Sequence, residues 1–210
     1  TCLVALSTLL SAQKIYIAEN GATEIRRCDI DGSSKELMSG GVSNVLTLRS
    51  MVMDEQRNTV FWIESNTVIK KASLLTAAGV TQLNTSTNFA NITGAVFQSL
   101  AINPLTRELL VSSNGGIYKL NLDAGSTITS LPVATISPFN ISNIDVDLVN
   151  SKIYFVRPIT TTEIWIANLD GTGATNIVPN SSANDIAVDP VGGKFYYTVN
   201  IFFPTTEGQV

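Results

Sequence analysis

The sequence predicts an all-β fold, namely a β-propeller of four-stranded antiparallel blades with four complete blades and a partial fifth. A short apolar strand, a polar turn and an aromatic-rich strand recur five times along the chain. Helical periodicity is nearly absent, and the apolar runs are β-branched or aromatic and bounded by turn residues. Units of four short strands at a period of about 45 residues are typical of propeller blades.

The repeat is anchored by one large residue in the second strand of each unit. These residues are Tyr16, Phe61, Leu110, Tyr154 and Tyr196. We predict one domain over 1–210, with blades at about 1–43, 44–92, 93–138, 139–181 and 182–210, the last ending within its third strand. The apolar run from Cys2 is similar to the core of a signal peptide but has no basic leader. It aligns with the first strands of the other units, so we assign it to blade one.

The four strands of a unit follow in a fixed order. The first is small and apolar, as in 3–6 and 186–188, which suits the innermost position around the propeller axis. The third ends in a turn such as Asp31-Gly32 or Asp170-Gly171, and Asp-Gly favours tight hairpins because both residues tolerate positive φ. The predicted fourth strands are KELM at 35–38, VTQL at 80–83, LPVATI at 131–136 and TNIV at 175–178.

The units resemble the YWTD repeats of low-density-lipoprotein-receptor-type propellers. The nearest match is Val188-Asp189-Pro190 followed by KFYYT at 194–198, and the resemblance covers nearly the whole chain. It implies protein-binding propellers that usually have six blades. The chain would then be a segment of a longer one, or would close incompletely, or would be completed by a partner. In this family the last residue of the Tyr-Trp-Thr-Asp tetrapeptide, an Asp, helps to tie neighbouring blades together. The corresponding residues here are Glu19, Glu64, Ser113, Arg157 and Val199.

The Asp that ends the inner strand in this family recurs as Asp54, Asp147 and Asp189 and is Asn103 in the third unit. We expect these residues to form hydrogen bonds between blades. Lactonase-like propellers instead place such side chains around a central metal, which leaves Asn103, Asp147 and Asp189 as alternative ligands. Asp145 and Asp147 share one strand face. We expect a structural role for Asp147 and place Asp145 in a wet channel.

Composition excludes several function classes. The net charge is −4 and charged residues make up 14 %, so no cationic footprint for nucleic acid exists. The chain has no His, which removes the usual general base, the common zinc ligand and the standard Ser and Cys triads. We therefore predict no catalytic residue, no cofactor and no metal ligand. No apolar stretch is long enough to span a bilayer, so we predict no membrane insertion.

Two features of the sequence bear on whether the protein is intracellular or secreted. Four Asn-x-Ser/Thr sequons, at Asn84, Asn91, Asn140 and Asn180, fall at or beside fourth strands or the links that follow them. N-linked glycans are tolerated at such outer positions. Ser, Thr and Asn replace the missing charged residues, which is common outside the cell. We predict a secreted, extracellular glycoprotein.

The two cysteines are the only disulfide candidates. Cys2 begins the inner strand of blade one and Cys28 lies late in the third strand. These strands run in the same direction two strand spacings apart, beyond the roughly 7 Å between Cα atoms that a disulfide permits. We expect unpaired thiols, with a Cys2–Cys28 bridge or an intermolecular bridge through Cys2 as alternatives.

The function predicted is that of a non-enzymatic protein-interaction or structural module. The residues before the inner strands, Arg49, Gln98, Asn143 and Asn184, would rim one face and form the candidate binding surface. Its partner would be another protein or a second copy of the chain. One alternative is a repeating subunit of an extracellular fibre or coat that assembles through unfinished blade edges. The other is a metal-dependent propeller hydrolase.

Overall fold

The computed structural model describes most of the chain, namely 2–6, 14–19, 25–38, 48–77, 80–83, 87–91, 94–123, 128–131, 140–158 and 161–199. These residues form antiparallel sheets that follow one another along the sequence. Sheet one contains β1 (Cys2–Leu6), β2 (Lys14–Glu19), β3 (Ile25–Asp29) and β4 (Glu36–Leu37). Sheet two contains β5 (Leu48–Asp54), β6 (Thr59–Glu64), β7 (Val68–Ala77), β8 (Val80–Leu83) and β9 (Thr87–Asn91), with a short 3-10 helix at Glu55–Arg57.

The remaining sheets repeat the same up-and-down order. Sheet three contains β10 (Phe97–Asn103), β11 (Glu108–Ser113), β12 (Gly116–Asn121) and β13 (Ile128–Ser130). Sheet four contains β14 (Asn143–Asp147), β15 (Lys152–Pro158), β16 (Thr162–Asn168) and β17 (Thr175–Val178). Sheet five contains β18 (Ala183–Asp189) and β19 (Lys194–Val199).

The hydrophobic core is divided into layers between consecutive sheets. Tyr16 of sheet one packs with Trp62 of sheet two, and on the other face of β6 Phe61 packs with Phe97 of sheet three. Further layers join sheets three and four and sheets four and five. A strand covered on both faces has no polar side, which explains why 60–63 is one continuous apolar run. Each large side chain fully buried in this way contributes about 1.5–3 kcal/mol.

The predicted fourth strand at 80–83 forms β8, which pairs with Leu74 to Ala77 of β7. A strand that was not predicted, β9, pairs with Val68 to Lys71 of the same strand. The ten residues of β7 extend beyond β6 and leave room for both. In sheet three the fourth strand is β13, which precedes the predicted segment 131–136; of that segment, 132–136 lie outside the described residues. Sheets one and four use the predicted segments. The predicted blade boundaries stay predictions, because several fall outside the described residues.

The inner strands are neighbours in chain order, from β1 through β5, β10 and β14 to β18. Polar side chains tie adjacent inner strands together. The backbone N–H of Leu100 in β10 donates to Ser50 Oγ of β5 at 2.9 Å, and that of Val188 in β18 donates to Asp145 Oδ2 of β14 at 2.7 Å. Since each bond joins a side chain of one sheet to the backbone of the next, it fixes the spacing of neighbouring sheets around the axis.

The residues that end the inner strands do not all have the predicted role between blades. Asn103 Oδ1 accepts the backbone N–H of Leu105 at 3.1 Å, and Asp147 Oδ1 accepts that of Asn150 at 2.8 Å. Asp189 Oδ1 accepts the N–H of Gly192 at 2.8 Å. These carboxylate and amide groups hold their own turns, because the free donors of a tight turn are the nearest ones.

Asp54, which ends the inner strand of sheet two, does bond to the next sheet, through an ion pair of 2.7 Å with Arg107. Two residues that replace the last Asp of the family tetrapeptide, Ser113 and Arg157, form hydrogen bonds within their own sheets. Ser113 Oγ accepts the N–H of Gly115 at 2.9 Å, and the Arg157 guanidinium donates to Glu163 at 3.5 Å.

Within the described segments we find no helix with the length and apolar character to cross a membrane.

Candidate functional site

A cavity of about 370 Å³ lies on the axis between four inner strands, β5, β10, β14 and β18. Its walls are mixed, with apolar residues such as Met51 and Leu100 beside polar ones such as Ser99, Asp145 and Asp185. Concave sites with several convergent polar groups are a usual form of binding site. We therefore take this cavity as the candidate site.

Three of the four predicted rim residues line this cavity. Arg49 and Gln98 come from adjacent inner strands, and the guanidinium of Arg49 donates to Gln98 Oε1. Asn143 lines the cavity from β14, where its Oδ1 accepts the hydroxyl of Ser99 at 3.3 Å. Asn184 lies in β18 and is exposed, but the cavity wall there is formed by its neighbour Asp185. The structure thus brings Arg49, Gln98 and Asn143 to one opening, and their role in binding stays a prediction.

Asp145 lines the central cavity, which agrees with its predicted position facing a channel. Its two oxygens accept the backbone N–H groups of Val188 at 2.7 Å and Val146 at 2.8 Å. Burial raises the pKa of the Asp145 carboxyl, the two N–H donors lower it in part, and the negative charges of Asp185 and Asp147 raise it further. Asp145 therefore connects sheets four and five through a hydrogen bond, and burial makes its negative charge unfavourable.

The alternative metal ligands do not line the cavity. Asn103, Asp147 and Asp189 each hold a turn at the far end of an inner strand, and none of them lines the cavity. In the part of the chain that the structure describes, no group of three or more His, Cys, Asp or Glu side chains is arranged to hold a metal ion.

Two of the four sequons, Asn140 and Asn180, have side chains within the described residues. Asn84 lies outside the described residues, and Asn91 ends β9 with its side chain outside them. Asn140 is exposed just before β14. Asn180 is exposed in the turn between β17 and β18, where its φ of 56° places it in the left-handed region that Asn tolerates. Space for a glycan is therefore present at Asn140 and Asn180.

The strand register separates the two cysteines. Cys2 pairs with Glu19 at one end of β2, whereas Cys28 pairs with Ile15 near the other end. Two strand spacings and four residues of rise put the Cα atoms roughly 16 Å apart. This exceeds the disulfide limit of about 7 Å, so the register does not permit the Cys2–Cys28 bridge. Cys28 is buried as a free thiol.

Sheet five carries two exposed aromatic side chains that the sequence pattern did not predict, Tyr196 and Tyr197. Tyr196, which aligns with the buried Phe61 and Leu110, is 58 % exposed. Its neighbour Tyr197 is also exposed and stacks on Phe195, with ring centroids 6.3 Å apart. No local pattern in the sequence predicted this exposure, because the side-chain pattern of β19 matches that of buried second strands.

A second missed feature is a repeated exposed aliphatic residue at the turns that follow the inner strands. Leu105, Val149 and Val191 are 77 %, 69 % and 94 % exposed. Each stands two residues after the Asn or Asp that ends its inner strand. These turns lie at the opposite end of the inner strands from Arg49 and Gln98, so the two ends of the molecule differ in chemistry.

Comparison with known proteins establishes the fold. No protein-family model matches the sequence, and neither does any curated protein. A chain in the crystal structure of a nidogen–laminin complex is 15 % identical, with a TM-score of 0.72 over 89 % of this chain and 69 % of that one. A protein assigned as TolB from Agrobacterium tumefaciens is 14 % identical, with a TM-score of 0.65 over 88 % of this chain and 65 % of its own.

A protein assigned as a 6-phosphogluconolactonase from Bacteroides uniformis is 11 % identical, with a TM-score of 0.61 over 92 % of this chain and 62 % of its own. The chain therefore spans about two thirds of the length of each of these structures. Identities this low carry the fold and nothing beyond it. Together with the successive antiparallel sheets, they confirm the prediction of an all-β propeller.

Proposed function

We propose that this chain is a non-enzymatic, extracellular interaction module of the YWTD propeller type, which binds a protein partner at the mouth of the central cavity. The observation that carries the proposal is the convergence of Arg49, Gln98 and Asn143, from three separate sheets, on one opening with mixed polar and apolar walls. Side-chain donors and acceptors around such a depression suit a partner that inserts one side chain and hydrogen-bonds around it.

The fold comparison supports a protein partner. The structural neighbour with a TM-score of 0.72 comes from a complex of two proteins, nidogen and laminin. The absence of His in the whole sequence supports a role without acid–base catalysis. The exposed sequons at Asn140 and Asn180 and the surface rich in hydroxyls and amides support an extracellular location.

The binding test compares two variants of matched composition. Arg49→Ala/Gln98→Ala removes the Arg and Gln at the cavity mouth, whereas Arg57→Ala/Gln56→Ala removes the same residue types at the opposite end of β5. A displayed random-peptide library is selected on the wild-type protein. We expect the selected peptides to bind the second variant with unchanged affinity and the first at least tenfold more weakly. Peptides that bind both variants equally would contradict this site.

The enzymatic alternative has its own test. The purified protein is incubated with a panel of sugar lactones, one divalent cation at a time, and hydrolysis is followed by titration of the acid released. We expect the rate to equal that of the buffer with the same cation. Hydrolysis that requires both protein and cation, and that is lost in both Asp147→Asn and Asp189→Asn, would establish the hydrolase instead.

A further inference from the structure

The wall of the central cavity carries more negative than positive charge. Its charged side chains are Arg49 on β5, Asp145 on β14 and Asp185 on β18. The guanidinium of Arg49 is held at the mouth, where it donates to Gln98 Oε1. The two carboxylates come from adjacent inner strands, β14 and β18. Because a concave wall concentrates the field of the charges that line it, this cavity attracts a cation.

The carboxylates of Asp145 and Asp185 are held by backbone donors. Asp145 accepts the N–H groups of Val146 at 2.8 Å and Val188 at 2.7 Å, and Asp185 Oδ1 accepts the N–H of Ile186 at 2.8 Å. Among the described residues neither carboxylate belongs to an ion pair. Burial raises the pKa of Asp145, and the charge of Asp185 raises it further. The backbone bonds therefore orient the two carboxylates without neutralising them.

The same cavity offers apolar surface beside the carboxylates. Met51, Leu100 and Ile186 line it together with Asp185. Long cationic side chains place their methylene groups on apolar surface and keep the charged head among polar groups. The volume of about 370 Å³ is near the lower end of the range of ligand sites, roughly 300–1,000 Å³. It suits one side chain rather than a whole strand or helix.

We infer that the cavity binds an arginine or lysine side chain of the protein partner, with its charged head at Asp185 and Asp145. The methylene groups of this side chain pack against Met51 and Leu100. Hydrogen bonds from a cation to a carboxylate are about twice as strong as those between neutral groups, so they select a basic residue over a neutral one. The inference rests on the proposed function, to which it adds the chemistry of the inserted residue.

Two small probes that differ in charge test this inference. N-acetylarginine methylamide and N-acetylcitrulline methylamide have closely similar shapes, but only the first is a cation. Each is titrated into the isotopically labelled full chain, and NMR follows the amides of Ile186 and Val188, which donate to the two carboxylates. We expect the arginine probe to shift both amides until they saturate. The citrulline probe should bind about tenfold more weakly or not at all.

A matched pair of variants locates the binding. Asp185→Asn removes one charge at an exposed residue of the cavity wall, and Asp170→Asn makes the same change at the opposite end of sheet four from Asn143. We expect the first variant to bind the arginine probe about tenfold more weakly and the second to bind it like the wild type. Circular dichroism confirms that both variants are folded.

The results that would overturn the inference are distinct from those that would overturn the proposed function. Equal binding by the two probes, binding by neither, or no loss in Asp185→Asn would overturn the inference. Calcium chloride alone is a third probe, and saturable shifts of the same amides by calcium at lower concentration than the arginine probe needs would assign the carboxylates to a metal ion instead. Selected peptides that depend on Arg49 and Gln98 but contain no basic residue would overturn the inference and leave the proposed function standing.

Discussion

Asp54, the last residue of β5, lies 2.7 Å from a guanidinium nitrogen of Arg107, which stands in the turn between β10 and β11 of the next sheet. Asp54 is only 2 % exposed, and its Oδ1 atom has no hydrogen-bond partner in the described part of the protein. Arg107 also contacts Asp123 at 2.9 Å, and these two carboxylates raise the pKa of its guanidinium. One cation therefore neutralises a buried charge and joins sheets two and three.

Removal of this cation should be costly. Arg107→Ala leaves the Asp54 carboxylate buried without its counter-charge, so we expect the free energy of unfolding to fall by about 3–5 kcal/mol. Arg57→Ala is the control, because Arg57 contacts the same Asp123 at 3.3 Å but is 62 % exposed. Its loss should cost less than about 1 kcal/mol. Urea unfolding at neutral pH measures both, and equal losses in the two variants would show that burial of Asp54 is not decisive.

The buried carboxyl of Asp145 predicts that the stability of the fold depends on pH. Because burial holds its pKa above the usual 3.8, the folded protein binds this proton more tightly than the unfolded chain does. The contribution to stability is greatest below that usual value and is lost as the pH rises through the folded-state pKa. We therefore expect the stability of the wild type, relative to Asp145→Asn, to fall as the pH rises above 3.8 and through the folded-state pKa. Unfolding curves across this range measure the difference, and a flat or rising difference would contradict the assignment.

The bond between Ser50 and the backbone of Leu100 predicts a local loss of stability. Ser50→Ala leaves the buried N–H of Leu100 without an acceptor, which should cost about 1–3 kcal/mol. Ser73→Ala, at an exposed site in β7, should change the stability by less than about 0.5 kcal/mol. Amide hydrogen exchange gives a direct readout, since the Leu100 amide should lose protection in the first variant only. Unchanged protection there would show that Ser50 is not the acceptor.

The two exposed sequons predict glycans on the secreted protein. Expression through a eukaryotic secretory pathway should attach N-linked glycans at Asn140 and Asn180, because both side chains are exposed. Intact mass before and after enzymatic deglycosylation measures occupancy, and Asn140→Gln and Asn180→Gln should each remove one glycan. Asn150, exposed but followed by Ser-Lys, is the negative control. A secreted protein with no mass change on deglycosylation would disprove the prediction.

Local patterns predicted the fold well, because each strand of a propeller is specified by nearby residues. The second strands at Tyr16, Phe61, Leu110, Tyr154 and Tyr196 all form as predicted. The fourth strand at 80–83 also forms, but the additional strand β9 on the long β7 was not predicted. In sheet three the fourth strand is β13, just before the predicted segment 131–136. An outer strand has few core contacts, so neighbouring segments of similar composition compete for its place.

The site was predicted less completely. The positions of Arg49, Gln98 and Asn143 before the inner strands predicted that they would share one face, and they do line one cavity. The partners of Asp145 and Asp54 were not predictable, because Val188 lies 43 residues from the first and Arg107 lies far along the chain from the second. Bonds between blades depend on how far sheets rotate against each other, which no local pattern contains.

The sequence by itself determined the strand order, the period, the low charge and the lack of His. Only the tertiary structure decided which of two equivalent aromatic side chains is covered. Phe61 and Tyr196 occupy the same position of the repeat, yet Phe61 is buried under sheet three and Tyr196 is exposed. A strand pattern fixes the face on which a side chain lies, whereas burial depends on whether another sheet packs against that face.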